Sequence, residues 1–231
     1  MTSDGSALEA IEGPAGRSRS ILRSGYWLVL LLIAVSYALC AAQGTADPNA
    51  VALLVQLATV AVTLWVAEVK TGLRRAGWII VLVAGVAVAL VAVVGTAGHL
   101  LDVLFSGASI VAYLVAPVAI IAREARKTRV DGQTLLAAIA VYILVGMLFT
   151  FIYNFIALVS SVPTFNDGQL DSLSSQLFFS FTTLTTTGYG DKVPAGAGVQ
   201  SVAIMEAITG QLFLVIALAR VVAGWKPATA R

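Results

Sequence analysis

Between two long apolar segments lie eight residues, Thr185-Thr186-Thr187-Gly188-Tyr189-Gly190-Asp191-Lys192, whose types could ligate a cation with backbone alone. Glycine takes positive φ at little steric cost, so Gly188 and Gly190 let carbonyl oxygens be turned to one side of an extended strand, which other L-residues resist. A row of oxygens facing one way can stand in for water around a dehydrated cation. Side-chain chemistry of other kinds is poorly supplied: there is no metal-ligand spacing, no Ser/His/Asp set and no phosphate loop, so an enzyme is the least favoured class. The single histidine, His99, cannot build a metal site alone and reads as an interfacial loop residue, with an external pH sensor as its functional alternative. The single cysteine, Cys40, allows no intrachain disulfide and reads as a small packing residue.

The elements that hold this stretch must sit in a bilayer. The chain is 231 residues, 59% hydrophobic and 11% charged, whereas a soluble domain carries roughly 25% charged residues. The apolar residues form blocks near the ~20 residues that a spanning helix requires. We expect six spans: 26–42, 50–69, 77–97, 101–122, 134–160 and 199–224. Lys and Arg set the direction. Arg17, Arg19 and Arg23 precede the first span; Lys70, Arg74 and Arg75 follow the second. Arg123, Arg126, Lys127 and Arg129 follow the fourth; Arg220, Lys226 and Arg231 close the last. With six spans, all but Lys192 of the 14 basic residues fall on one side, the cytoplasm, and both termini lie there. Gly188-Tyr189-Gly190 then lies toward the exterior. Residues 1–25 are expected to be a flexible cytoplasmic tail, 26–130 a peripheral four-helix unit, 131–225 a pore unit and 226–231 a short tail. Residues 1–20 lack the basic start and apolar core of a secretory signal.

Asp171 to Thr185 reads as a short re-entrant helix, with Asp171 or Ser172 accepting from the amides of its first turn. At about 14 residues it is roughly two-thirds of a spanning helix. Its C-terminal end would turn partial negative charge toward an inner cavity. Non-helical backbone follows at membrane depth, which is tolerable only where protein or water shields it. The chain has one such segment, so a closed ring needs several copies, and a homotetramer is the simplest assembly.

The run Thr185-Thr186-Thr187-Gly188-Tyr189-Gly190-Asp191, followed by Val193-Pro194, resembles the filter of pore-loop potassium channels, in particular bacterial six-span channels without an arginine-rich voltage sensor. The likeness is strong over about 134–224 and loose before it. It implies an all-α membrane protein with six transmembrane helices, a re-entrant pore helix, an extended selectivity filter and a tetrameric pore. It also implies potassium sites at the carbonyls of Thr186, Thr187, Gly188 and Tyr189 and the hydroxyl of Thr186, with Gly190 completing the filter. Thr187 stands where many members carry Val or Ile. Asp191 matches the family's acidic residue behind the filter, but Phe178 and Phe179 stand where some members have indole donors. The Tyr189 hydroxyl then needs another partner, for which Thr183 is the candidate; Phe178 and Phe179 are expected to wedge the filter against neighbouring helices. Gly210, 22 residues after Gly188, matches a glycine regarded as a hinge, and a close-packing role is equally open. Gln211, Leu214 and Leu218 are candidates for the cavity face and an inner constriction.

Glu206 is the one acidic residue well inside a span. Such groups are costly and face protein or water; it reads either as a proton sensor or as a hydrogen-bonded partner of pore-helix threonines. Arg220 reads as snorkelling to headgroups. The fourth span carries only Asp102 and its basic residues begin at Arg123, so steep voltage dependence is not expected, and Pro117 is a candidate kink. The chain ends soon after the last span, which predicts no cytoplasmic nucleotide- or calcium-binding domain. The expected function is passive conduction of potassium ions, the permeant ligands, in a cell membrane of bacterial type, with lipid but no nucleic acid as partner and no bound cofactor. The alternatives are a potassium-transporter pore subunit, whose relatives usually repeat the pore segment within one chain, and a non-conducting membrane sensor.

Overall fold

The computed structural model describes residues 14–42, 55–56, 58–63, 82, 85–86, 99–127, 132–166, 168 and 171–224. Among these, the long elements are five helices: α1 (Pro14–Ala41), α2 (His99–Glu124), α3 (Gly132–Val159), α4 (Leu173–Leu184) and α5 (Ala197–Gly224). An isolated antiparallel bridge joins Phe165 to Pro194. Asp102–Glu124 (23 residues), Gly132–Val159 (28) and Ala197–Gly224 (28) are long and apolar enough to cross a membrane. At about 1.5 Å per residue each exceeds a hydrocarbon core of about 30 Å.

The spacing of apolar residues explains the packing. In α1, Tyr26, Val29, Ile33, Ser36 and Cys40 recur at alternating steps of three and four and are buried, whereas Trp27, Leu28, Leu31 and Val35 are exposed. A helix with this stripe buries one side, and its other, equally apolar side suits lipid or protein. The central element is α3, which touches α1, α2, α4 and α5. Its Ala140, Leu144 and Met147 are fully buried among residues from α1, α2 and α4. The Tyr113 ring of α2 stacks on Phe151 of α3 at 5.3 Å.

The observed ends lie close to the expected spans for α2, α3 and α5. At the N-terminus the helix begins at Pro14, ahead of the expected start of the first span at Tyr26. Proline suits a first turn because its φ is already helical and its missing amide would be unpaired there anyway. Residues 1–13, 43–54 and 225–231 lie outside the described residues. The expected second and third spans do so in large part; what is described of them, at 55–56, 58–63, 82 and 85–86, is helical. Through these pieces Thr59 bonds Ser36 of α1 at 3.1 Å and Gln56 accepts from Ser109 of α2 at 3.3 Å. Helix α2 runs through Pro117 to Glu124 as one element.

Candidate functional site

Helix α4 is 12 residues long, two or three shorter than the sequence suggested. Ser172 is its N-cap, accepting from Ser175 N at 3.1 Å. Asp171, the other candidate, serves the loop instead: its Oδ2 accepts from both the amide and the hydroxyl of Thr164 at 3.0 Å. That loop is laced to the stretch after the filter sequence, since Asn166 N donates to Val193 O and Ala195 N to Thr164 O, both at 2.9 Å.

The C-terminal end of α4 is where the candidate strand begins. Thr186 N donates to Thr183 O (2.9 Å) and Thr187 N to Thr182 O (2.8 Å), with Thr186 at φ +56°. This is the Schellman pattern, in which a left-handed residue just past the helix end lets two amides turn back on its last carbonyls. Glycine usually fills that position; threonine there costs roughly 1–2 kcal/mol. The last four carbonyls of α4 are all engaged: Phe181 O by Thr185 N, Thr182 O and Thr183 O as above, and Leu184 O by the Tyr142 hydroxyl at 3.2 Å. The last-turn carbonyls of the helix therefore all have hydrogen-bond partners.

What these bonds do to the strand follows from peptide geometry. Thr186 N, Thr187 N and Gly188 N all donate back to α4, the last to Thr182 O at 3.2 Å. No peptide bond among the described residues is cis, and in a trans peptide the carbonyl opposes the following N–H. The oxygens of Thr185, Thr186 and Thr187 therefore point away from α4, three in succession. The sign of φ alternates along the strand, positive at Thr186, Gly188 and Gly190, with Thr186 the one positive-φ non-glycine among the described residues. An ordinary β-strand sends successive oxygens to opposite sides; this alternation is what keeps them on one. Sequence reasoning assigned positive φ to the two glycines and missed Thr186, because no residue type announces a strained threonine. It also omitted the Thr185 carbonyl.

Side chains around the strand are placed as follows. The Tyr189 ring is 70% exposed and stacks on Phe178 at 5.8 Å and 12°. Phe179 is buried and packs edge-on against Tyr153 of α3 at 5.2 Å and against Phe165 at 4.8 Å. The two phenylalanines thus do different work, one against the filter tyrosine and one against the scaffold. Thr183 contributes its backbone oxygen to Thr186 N, and Asp191 lies exposed. Lys192 sits over the Phe165 ring at 5.7 Å.

From α5, Gln211 reaches the start of the strand, its Nε2 donating to Thr186 Oγ1 at 3.2 Å. Leu214 and Leu218, the other cavity candidates, are exposed and border an apolar groove of about 300 Å³ between α3 and α5, shared with Leu135, Tyr142 and Phe213. Gly210 presses on α4: a Cβ there would stand 2.3 Å from Leu184 O and 3.0 Å from the Leu184 side chain. Its role in this geometry is close approach. A second glycine of this kind, Gly146 of α3, makes room for the Phe181 ring, which a Cβ would meet at 2.7 Å; no periodic pattern in α3 marks it.

Glu206 is fully buried behind α4. Its Oε2 accepts from the Tyr153 hydroxyl at 2.7 Å, and its Oε1 lies 2.5 Å from Ser180 Oγ. The pore-helix partner is therefore Ser180 and not a threonine, and Tyr153 was not anticipated. At the opposite end of α5, Arg220 does not reach outward. Its Nη2 donates to Glu124 O, the last carbonyl of α2, at 2.5 Å and to Lys127 O in the turn just beyond it at 3.2 Å. The Glu124 carboxylate in turn accepts from Tyr26 of α1 and Thr134 of α3, each at 3.0 Å, and pairs with Lys127 at 2.8 Å. Four helices meet at this node.

Among the described residues no group of three or more His, Cys, Asp or Glu is placed to hold a metal ion. Residues 141–223 match a family described as "Ion channel". That range contains most of α3, all of α4, the strand and nearly all of α5. The match and the three apolar helices define a helical membrane protein carrying a pore-loop segment similar to those of ion channels, a non-enzymatic class. No curated protein and no solved structure matches the chain.

Proposed function

We propose that the protein is a potassium-selective channel, formed by four copies whose 186–190 strands surround one axis. The observation that carries this reading is the run of three carbonyls turned from α4, in a strand whose φ alternates in sign through Gly190. In such a ring the carbonyls of Thr186, Thr187, Gly188 and Tyr189 replace the water shell of the ion. The Thr186 hydroxyl, which accepts from Gln211 with one lone pair, has another for the ion at the inner mouth. Helix α5 supports the assembly: of its 28 residues only Val199, Glu206 and Gly210 are buried in the single chain, and Ile204, Ile208, Leu212 and Val215 stand more than half exposed. A neighbouring copy and lipid would cover them.

Opening is not driven by charge in α2, whose described length carries no Lys or Arg before Arg123; moving charge through the field is what makes gating steep. The distribution of basic residues supports a topology with both termini in the cytoplasm and the 188–190 stretch outside. The test is a flux assay on the purified protein in liposomes. Potassium should pass much faster than sodium, from a particle of four chains; equal flux of the two ions from a folded tetramer would refute selectivity.

A further inference from the structure

Glu206 presents a proton-counting problem. Ser180 Oγ lies 2.8 Å from Gly146 O and 2.5 Å from Glu206 Oε1. A hydroxyl has one proton, and a backbone carbonyl can only accept. Gly146 O is a shared acceptor, taking the Thr150 hydroxyl at 2.9 Å as well. If Ser180 gives its proton to Gly146 O, the short contact to Oε1 is a hydrogen bond only when Glu206 supplies the proton. If Ser180 gives it to Oε1, two oxygens face each other at 2.8 Å with no proton between them. Tyr153 donates to Oε2 in either case. The side chain is 0% exposed. The groups facing it are Ser180 of α4 and Tyr153 and, further off, Tyr142 of α3, with no ion pair to it among the described residues. A buried charge without a partner is disfavoured.

We infer that Glu206 is a positioning residue for the filter: an un-ionised carboxylic acid whose Oε1–H donates to Ser180 Oγ, completing a chain from Tyr153 through Glu206 and Ser180 to Gly146 O. The chain ties α5 to α4 and both to α3. Ser180 stands in the last turns of α4, from whose end the strand hangs, so the peg fixes where the strand starts. Its consequence for conduction rests on the channel reading above; the protonation state does not.

Infrared difference spectroscopy of the full-length protein in lipid at neutral pH reads the state directly. The wild type should show the carbonyl stretch of an un-ionised carboxyl. That band should vanish in Glu206→Gln and shift in frequency in Ser180→Ala, which removes the acceptor. In flux, Glu206→Gln should stay near the wild-type rate, because an amide also gives one proton to Ser180 and accepts from Tyr153. Glu206→Ala should lose about tenfold or more, the scale expected when buried hydroxyls lose their partner. No band assignable to Glu206, or a Glu206→Gln tetramer as inactive as Glu206→Ala, would overturn the inference. A wild type showing the band but passing no potassium would sink the channel reading and the positioning role, while the acid's protonation would stand.

Discussion

Three glycines of the pore segment are glycine for two different reasons, and the difference is measurable. Gly188 and Gly190 have open space where a Cβ would go, with nothing within 4 Å in the single chain; what they supply is φ of +50° and +83°. Gly210 has ordinary helical φ and supplies space, 2.3 Å from a backbone oxygen that cannot move aside. Gly188→Ala should therefore cost only about 1–2 kcal/mol of stability yet abolish flux, because the strand would relax and turn an oxygen. Gly210→Ala should lower the melting temperature markedly, as overpacking costs about 1–3 kcal/mol. Thermal melts of the two purified variants beside their flux check both; a Gly210→Ala protein that melts like the wild type would show that α5 and α4 do not meet as described. Thr186 belongs with the first pair. It is the strained residue of the segment, and strain of this kind persists where surrounding contacts over-determine it, here Gln211 on its hydroxyl and Thr183 O on its amide.

At the scale of elements, α4 is held at both ends and in the middle by partners from elsewhere, and this is where the sequence was least legible. Its N-cap, its length to within a few residues, and the position of the strand after it could be read from Ser172, the Phe/Thr run and the glycines. Tyr142, Gly146, Tyr153 and Ser180 could not. Each is an unremarkable residue in an apolar helix, and each matters only through a residue 26–53 positions away. Arg220 was legible as a charge near a helix end but not as a cap, because the carbonyls it serves, at the end of α2 and in the turn after it, lie more than ninety residues back. That contact yields a prediction. Arg220→Gln should release the C-terminal turn of α2 from α5 and lower stability by about 1 kcal/mol, a charged hydrogen bond discounted for partial exposure. A melting temperature unchanged within error would remove the contact from the account.

Viewed as one molecule, the single chain leaves much apolar surface uncovered. Helix α5 shows apolar surface along most of its length, the strand faces its oxygens to open space, and the aromatic pair Phe178–Tyr189 lies at the surface. All three features are consistent with copies meeting around the strand, and the alternating φ gives those copies a reason to meet there. Among the described residues α1 packs on α3 and α4, α2 packs on α3, and both meet α5 at the Glu124–Arg220 node. The measurement that tests the central claim most directly is the reversal potential of the purified channel in a planar bilayer with potassium on one side and sodium on the other. The account predicts a potential displaced far toward the potassium equilibrium value. A reversal potential at zero, from a protein that conducts, would contradict the claim that these backbone oxygens choose the ion.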